Sequence, residues 1–488
     1  MYLTPQNILL IGSILLFISV WVSQGSYKFG VPALILFLGV GMLAGSEGVA
    51  AWFGHHQGIV FDNPKTAQFI GVVALNFILF SGGLDTKWRS IRPVLWQGVA
   101  LSTVGVVLTA GAVGLFVYLA LDNFSFAEAM LLGSIISSTD AAAVFSILRS
   151  SRLALKHNLK PMLELESGSN DPVAYLLTIM FISVIQNPGD SLWALLPLFL
   201  MQILIGAMAG YLMGRVSVWI VNRIKTHYNG LYPVLMVALM FFTYSIADVL
   251  HGNGFLAIYV AAVFIGNKKI VQKELILGTF DGFAWLMQVV LFLSLGLLVH
   301  PIQVWSVLGI GMLISVFMIL VARPLSVFIT LAFNKLGVKN KLFISWVGLR
   351  GAAPIVFATY PLIAGLEKAG MIFNIVFFIS CTSMLIQGTS IPAVARWLKV
   401  SILMPKHLLS RKELDQNMEV IEVKVPVDSK LIGSQLCQIV FPKGVRITMM
   451  ARCGEYLIPN GQTQIYADDH LFVMCHEDDQ PEIYRMLD

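Results

Sequence analysis

Four short stretches place ionisable side chains inside otherwise apolar sequence. Ser137–Val144 reads SSTDAAAV and sets Asp140 behind three hydroxyl residues. Leu163–Pro172 reads LELESGSNDP and brings Glu164, Glu166, Asn170 and Asp171 in ahead of a proline. Gly348–Pro354 reads GLRGAAP, with Arg350 between glycines, and Arg323 follows an apolar run in VARP. Carboxylates, hydroxyls and amides are the oxygen donors that hard monovalent cations want. Burial penalises a bare carboxylate, so such a side chain holds a proton or a metal cation rather than standing charged and alone. Exclusive occupancy by one or the other is a coupling device. Asp171 fits it best, because it lies beside a neutral Asn170 and has no basic neighbour in its own helix.

Those side chains need a framework, and composition says what kind. Of 488 residues, 57% are hydrophobic and 12% are charged, against about 25% charged in ordinary soluble proteins. Mean hydropathy is +0.79. A soluble enzyme is excluded, and no HExxH or G-x-S-x-G pattern suggests an intramembrane one. A bilayer core needs roughly 20 apolar helical residues. Thirteen stretches qualify: 7–25, 31–46, 67–84, 94–121, 127–148, 166–187, 192–220, 230–250, 254–267, 280–300, 304–333, 342–364 and 371–397. Alternate loops carry the basic residues, among them Lys87, Arg89 and Arg92, then Lys156 and Lys160, then Lys268, Lys269 and Lys273. Positive loops face the cytoplasm. The pattern predicts an N-terminus outside, retained as a span, and a cytoplasmic C-terminus. Cys381, Cys437, Cys453 and Cys475 show no metal-ligand spacing, which suits a reducing compartment.

Charge at membrane depth marks a candidate functional site. Ser-Ser-Thr-Asp invites side-chain capping of freed backbone, while Gly-x-x-Gly-x-x-Pro lowers helix propensity and removes a donor. Each reads as a broken helix. The fifth and twelfth stretches are seven apart, so they run in opposite directions. Paired breaks in an inverted repeat point to a secondary transporter's binding site. Asp140 is suited to offset positive half-helix ends and Arg350 negative ones. Two readings stand for Asp140, dipole partner or cation ligand. Two also stand for Glu166 and Arg323: a fold-holding ion pair, or a gating one.

The stretches SSTDAAAV, LELESGSNDP and SWVGLRGAAP resemble the cation:proton antiporter-1 superfamily in its NhaP-like branch. FDGFAWLMQVVLFLSLGLLV (Phe280–Val299) resembles the cell-volume-regulation-A type of potassium/proton antiporter. The resemblance covers residues 1–400. It implies an all-α polytopic domain with thirteen transmembrane helices, an inverted repeat and two crossing broken helices. It also implies a homodimer in a bacterial inner membrane, with a core bundle moving in elevator fashion. Carried onto this chain, Asp171 is the transport carboxylate, Asn170 its partner, and Ser167, Thr139 and Asp140 supply or support K⁺ or Na⁺ ligands. Glu166 and Arg323 match an intramembrane ion pair, and Arg350 the arginine at the second break. Relatives often place an acid where this chain has Ser81, which removes any contact of that acid with Asn170.

From about Asn417 the pattern changes to short alternating runs, MEVIEVKV, GVRITMMA and QIYADDHLFVMC, separated by turn residues. Residues 401–416 read as a linker and 417–488 as a small α+β cytoplasmic domain, with an amphipathic helix at 430–439. This tail resembles the TrkA-type (RCK-C) regulatory domain. Two readings stand for it: a binder of a small ligand such as a nucleotide, or a ligand-free dimerisation clamp.

One carboxylate beside a neutral Asn predicts one-for-one, electroneutral exchange of K⁺ for H⁺. Na⁺ is the alternative cargo, since cavity size and ligand flexibility, which the residues do not fix, select between the ions. A potassium channel with an RCK-like tail is the rival of another class, disfavoured because no TVGYG-like filter is present. Partners on this reading are lipid and a second copy of the chain, with no nucleic acid and no resident cofactor.

Overall fold

The protein was analysed as a computed structural model describing residues 5–29, 32–47, 58–151, 153–156, 158–188, 192–225, 227–403, 418–426, 429, 431–439, 441, 445–452, 455–457, 459–476 and 486. Two compact units result, Met1–Ile402 and Leu403–Asp488. The expected linker, 401–416, lies almost wholly outside the described residues.

The first unit is a polytopic helical domain. Among the described residues, eight helices are long and apolar enough to cross a membrane: Pro64–Asp85, Trp88–Ala120, Leu159–Gln186, Leu196–Arg223, Leu231–Val249, Lys273–Leu298, Leu308–Thr330 and Ala369–Trp397. Leu9–Gly25, Ala33–Ala44, Phe126–Ile135, Gly254–Gly266 and Ala352–Ile363 are shorter apolar helices. At 1.5 Å per residue, the 22-residue Pro64–Asp85 helix spans about 33 Å, a bilayer core. Its start is set by Pro64 at the first helical position and by Asn63, whose side chain accepts the Thr66 N–H at 3.1 Å.

Boundaries differ from the sequence expectation in a systematic way. The helices expected to begin at 94, 166 and 280 begin at Trp88, Leu159 and Lys273. Hydropathy reports the depth of hydrocarbon, whereas backbone hydrogen bonding continues into the headgroup layer. The stretch 304–333, read as one helix, is split into Pro301–Ser306 and Leu308–Thr330.

Helices meet through small residues. Gly206, Gly210 and Gly214 lay one face of the long Leu192–Arg223 helix against Asn253, Ala257 and Ala261 on and before Gly254–Gly266. A Cβ at Gly210 would collide with the backbone of Ala257. Lipid tails are as apolar as leucine, so close backbone approach replaces the hydrophobic drive. Helices Ala33–Ala44 and Lys273–Leu298 do the same where Gly41 faces Gly296.

Two spans are interrupted in their middles. Phe126–Ile135 and Ala141–Ser150 are separated by residues 136–140, and Val338–Trp346 and Ala352–Phe357 by residues 347–351. The two breaks touch: the Asp140 N–H donates to the Leu349 carbonyl at 2.7 Å. π-Helical turns at Leu101–Gly105, Met318–Ala322 and Met384–Gly388 lie on neighbouring helices.

In the second unit, the described residues form a four-stranded antiparallel sheet in the order Met418–Lys424, His470–His476, Arg446–Arg452, Glu455–Leu457. Val423, Val425, Val445, Met450, Ile465, Leu471 and Val473 are its core. The amphipathic helix expected over 430–439 is corrected here, because no α-helix occupies that stretch among the described residues. Gly433 takes φ +82°, a left-handed conformation that halts a helix. Gly433, Leu436 and Cys437 donate their N–H groups to Ile465, Thr463 and Gly461 at 2.8, 3.0 and 2.8 Å. Only a 3₁₀ turn, Leu436–Gln438, remains.

Candidate functional site

Helix Leu159–Gln186 runs alongside the first break and supplies most of the polar groups. Asp171 is 8% exposed and accepts a hydrogen bond from the Ser138 hydroxyl. One residue earlier, Asn170 is fully buried and donates through Nδ2 to Thr139 Oγ1 at 2.5 Å and to the Thr139 carbonyl at 3.4 Å. Its Oδ1 has no partner among the described residues. A turn back, Ser167 Oγ donates to the Thr139 carbonyl and accepts the Ala141 N–H, both at 2.9 Å. Freed backbone in the break is thus capped from the side, as the exclusion of unsatisfied groups from lipid demands.

The broken ends carry opposite partial charges, and each meets a side chain of the opposing sign. Asp140 Oδ1 accepts the Ala143 N–H at 3.2 Å, at the start of the half-helix Ala141–Ser150. Arg350 is fully buried, and its Nη1 donates to the Ser137 and Ser138 carbonyls at 2.5 and 2.7 Å, just past the end of the half-helix Phe126–Ile135. Its Nε and Nη2 have no partner among the described residues. Gly351 permits the crossing, because a Cβ there would run into the Asp140 side chain.

Glu166 and Arg323 form an ion pair with side chains 2% and 3% exposed. Arg323 follows directly on the π turn Met318–Ala322 and packs against Gly348 of the second break. Glu164 sits apart, pairing with Lys160 at 3.4 Å near the helix start. Ser81 lines a cavity of about 140 Å³ together with Asp85, Ser146, Asp281 and Gln288. Asp281 therefore lines a water-accessible pocket well inside helix Lys273–Leu298.

The structure brings Asp171, Asn170, Ser167, Thr139, Asp140 and Arg350 together and sets Glu166–Arg323 one turn away. Sequence reasoning passed over Ser138, the residue that bonds Asp171. Its signal was the Ser-Ser-Thr run, but three adjacent hydroxyls in an unwound segment point in different directions. Only the break's backbone selects among them. Thr139 and Ser167 are engaged with one another and with Asn170, so the free oxygens facing Asp171 are fewer than the residue types suggested.

Crossed half-helices with buried charge compensation and a carboxylate at the crossing define an inverted-repeat membrane transporter fold. The sodium/hydrogen exchanger transmembrane family matches residues 13–397 and the TrkA-C domain matches 420–488. The chain belongs to the sodium/hydrogen exchanger family. It is 38% identical over 489 residues to the K⁺/H⁺ antiporter NhaP of Alkalimonas amylolytica, covering 99% of this chain and 83% of that one. Against the K⁺/H⁺ antiporter NhaP2 of Shewanella oneidensis the identity is 37% over 480 residues, 97% and 82% of the two chains. The Na⁺/H⁺ antiporter NhaH of Halobacillus aidingensis matches at 28% over 314 residues, 61% and 75%. The fold is shared with the sodium proton antiporter MjNhaP1 of Methanocaldococcus jannaschii, with a TM-score of 0.69 at 20% identity, covering 80% of this chain and 99% of that one.

Proposed function

We propose that this protein is a cation:proton antiporter that exchanges K⁺ for H⁺ one for one. The observation that carries the reading is Asp171, nearly buried, at the point where two broken helices cross and beside an Asn170 oxygen with no partner among the described residues. K⁺ or Na⁺ bound there as cargo is held by the Asp171 carboxylate and Asn170 Oδ1, with Ser138, Thr139 and Ser167 completing or supporting the set. A proton on Asp171 removes the negative charge that attracts the cation, so the two occupants exclude each other. Asp140 and Arg350 keep the backbone ends neutralised in both states and carry no cargo. A single exchangeable carboxylate beside a neutral amide makes the exchange electroneutral.

K⁺ is favoured because the relatives named for K⁺ match essentially the whole chain at 36–38% identity, while the Na⁺-named relative matches 61% of it at 28%. The remaining features belong to the same proposal. Residues 1–400 form the antiporter domain of a homodimer in a bacterial inner membrane, thirteen spans with the N-terminus outside, working as an elevator. Residues 417–488 form a cytoplasmic regulatory domain, joined by 401–416, that takes a small ligand.

The test is exchange in proteoliposomes, with lumenal pH followed by a dye as K⁺, Na⁺, Rb⁺ or Li⁺ is added. Unsubstituted protein gives a saturable K⁺-dependent signal without a protonophore, and Asp171→Asn gives none while remaining a folded dimer. Activity retained in Asp171→Asn moves the site elsewhere. A larger response to Na⁺ than to K⁺ reverses the cargo assignment.

A further inference from the structure

The second break is held by two side chains to which the site as described gives no role. Ser383 Oγ accepts the Arg350 N–H at 3.0 Å and donates to Gln387 Oε1 at 2.5 Å. Gln387 Nε2 in turn donates to the Trp346 carbonyl at 2.8 Å, the last residue of helix Val338–Trp346. Both side chains are buried, at 0% and 1% exposure. They come from the helix following the second broken span, as Ser167 and Asn170 come from the helix following the first. In each pair a hydroxyl accepts an N–H freed by the break, and an amide caps a carbonyl at or beside it. Gln387 lies within the π turn Met384–Gly388, and such turns recur at functional sites.

The two clamps differ in what they reach. Ser167 and Asn170 hold residues that adjoin Asp171 directly. Ser383 holds the peptide of Arg350, whose guanidinium holds the Ser137 and Ser138 carbonyls, and the Ser138 hydroxyl bonds Asp171. A continuous run of hydrogen bonds therefore leads from Trp346 through Gln387, Ser383, Arg350 and Ser138 to the carboxylate. The Arg350 guanidinium is only partly satisfied, with Nε and Nη2 unpartnered. Its position thus depends on the backbone it grows from.

We infer that Ser383 and Gln387 are positioning residues of the ion site: acting through Arg350, they set where Ser138 meets Asp171 and so tune cation affinity. This rests on Asp171 being the exchange carboxylate. Neither side chain touches the cargo. Removing either lets the Arg350 peptide shift and loosens the ligand arrangement without deleting a ligand.

The experiment titrates full-length protein in proteoliposomes with KCl and separates KM from Vmax. Ser383→Ala and Gln387→Leu each raise KM for K⁺ about 3- to 10-fold, the worth of one buried hydrogen bond. Vmax stays within about twofold, since the exchange carboxylate is untouched. Ser383→Thr keeps the hydroxyl and restores KM. The double variant is no worse than the more affected single one, because both break the same run. Thr389→Ala on the same helix, whose hydroxyl bonds back to Leu385 at 2.6 Å, leaves KM unchanged. Single variants with normal KM and only lower yield or Vmax would reduce the pair to ordinary packing and overturn the inference. Additive losses in the double variant would overturn the shared run. Should Ser383→Ala fail to fold, Gln387→Leu and Ser383→Thr decide the matter. An absent K⁺ signal in unsubstituted protein sinks the exchange reading and this inference together, whereas normal exchange with unmoved KM sinks this inference alone.

Discussion

Glu166→Gln removes one charge from the Glu166–Arg323 pair and leaves the guanidinium in place. Both side chains are at most 3% exposed, and Arg323 Nε has no partner of its own. Solvent cannot reach in to compensate. Breaking a buried pair from one side costs about 3–5 kcal/mol, most of it the stranded charge rather than the lost attraction. The pair replaced as a unit behaves differently: Glu166→Gln/Arg323→Gln carries no net charge and recovers most of the loss. Unfolding in mixed micelles by SDS titration reads the stability, and proteoliposome exchange reads function. If the pair only holds the fold, the double variant recovers both stability and exchange. If it also gates, stability returns while exchange stays low. A Glu166→Gln protein as stable as the unsubstituted one would refute the reasoning, because it would mean that water or another anion already serves Arg323.

Two further outcomes follow from the geometry. Gly351→Ala drives a methyl group into Asp140, whose Cβ would lie 2.7 Å away, and costs about 1–3 kcal/mol. The penalty shrinks in an Asp140→Gly background, which removes that Cβ together with the carboxylate, measured by the same SDS titration, and an equal penalty in both backgrounds would place the collision elsewhere. In the second unit, Arg452 donates to both oxygens of buried Asp469 at 2.8 Å and stacks on Tyr466. Burial raises the Asp469 carboxyl, but the Arg452 guanidinium and the Tyr466 N–H outweigh it and hold the group below its ordinary range. A depressed carboxylate stabilises the folded form above its unfolded value, and that contribution fades as pH falls below about 4. Hydrogen exchange of peptides spanning 446–476 in the full-length protein, corrected for the intrinsic pH dependence of amide exchange, should therefore quicken on acidification. It should start faster, with less pH dependence, in Arg452→Leu. Identical acid profiles in the two proteins would contradict the assignment.

Which charged residues gather at the two breaks was largely legible in one dimension. A charge in an apolar run is costly enough to stand out, so Asp140, Glu166, Asp171, Arg323 and Arg350 were visible before any fold was known. The two breaks were legible for a related reason: hydroxyl runs and Gly-x-x-Gly-x-x-Pro contradict the helix around them. The hydroxyl that bonds Asp171 was not legible, because register in an unwound segment follows no period. Ser383 and Gln387 were passed over because an uncharged serine or glutamine raises no alarm in the middle of the apolar span Ala369–Trp397. In the tail, alternation identified the three longer strands. The helix expected over 430–439 failed because its apolar spacing serves equally well for turns whose N–H groups pair with 461–465.

The sequence alone determined that this chain lives in a membrane, where it breaks its helices and that Glu166, Asp171, Arg323 and Arg350 are withdrawn from solvent. Composition and local propensity are properties of single residues and their near neighbours. The tertiary structure decided which charge meets which backbone end, since Asp140 and Leu349 are remote in the chain and adjacent only once the spans cross. It also decided which oxygens remain for a cation, because Ser167 Oγ is taken up by the Thr139 carbonyl and the Ala141 N–H, Thr139 Oγ1 accepts from Asn170 Nδ2, and Asn170 Oδ1 is left over among the described residues. Hydrogen-bond partnership across a crossing is a matter of distance in space, and no spacing along the chain encodes it.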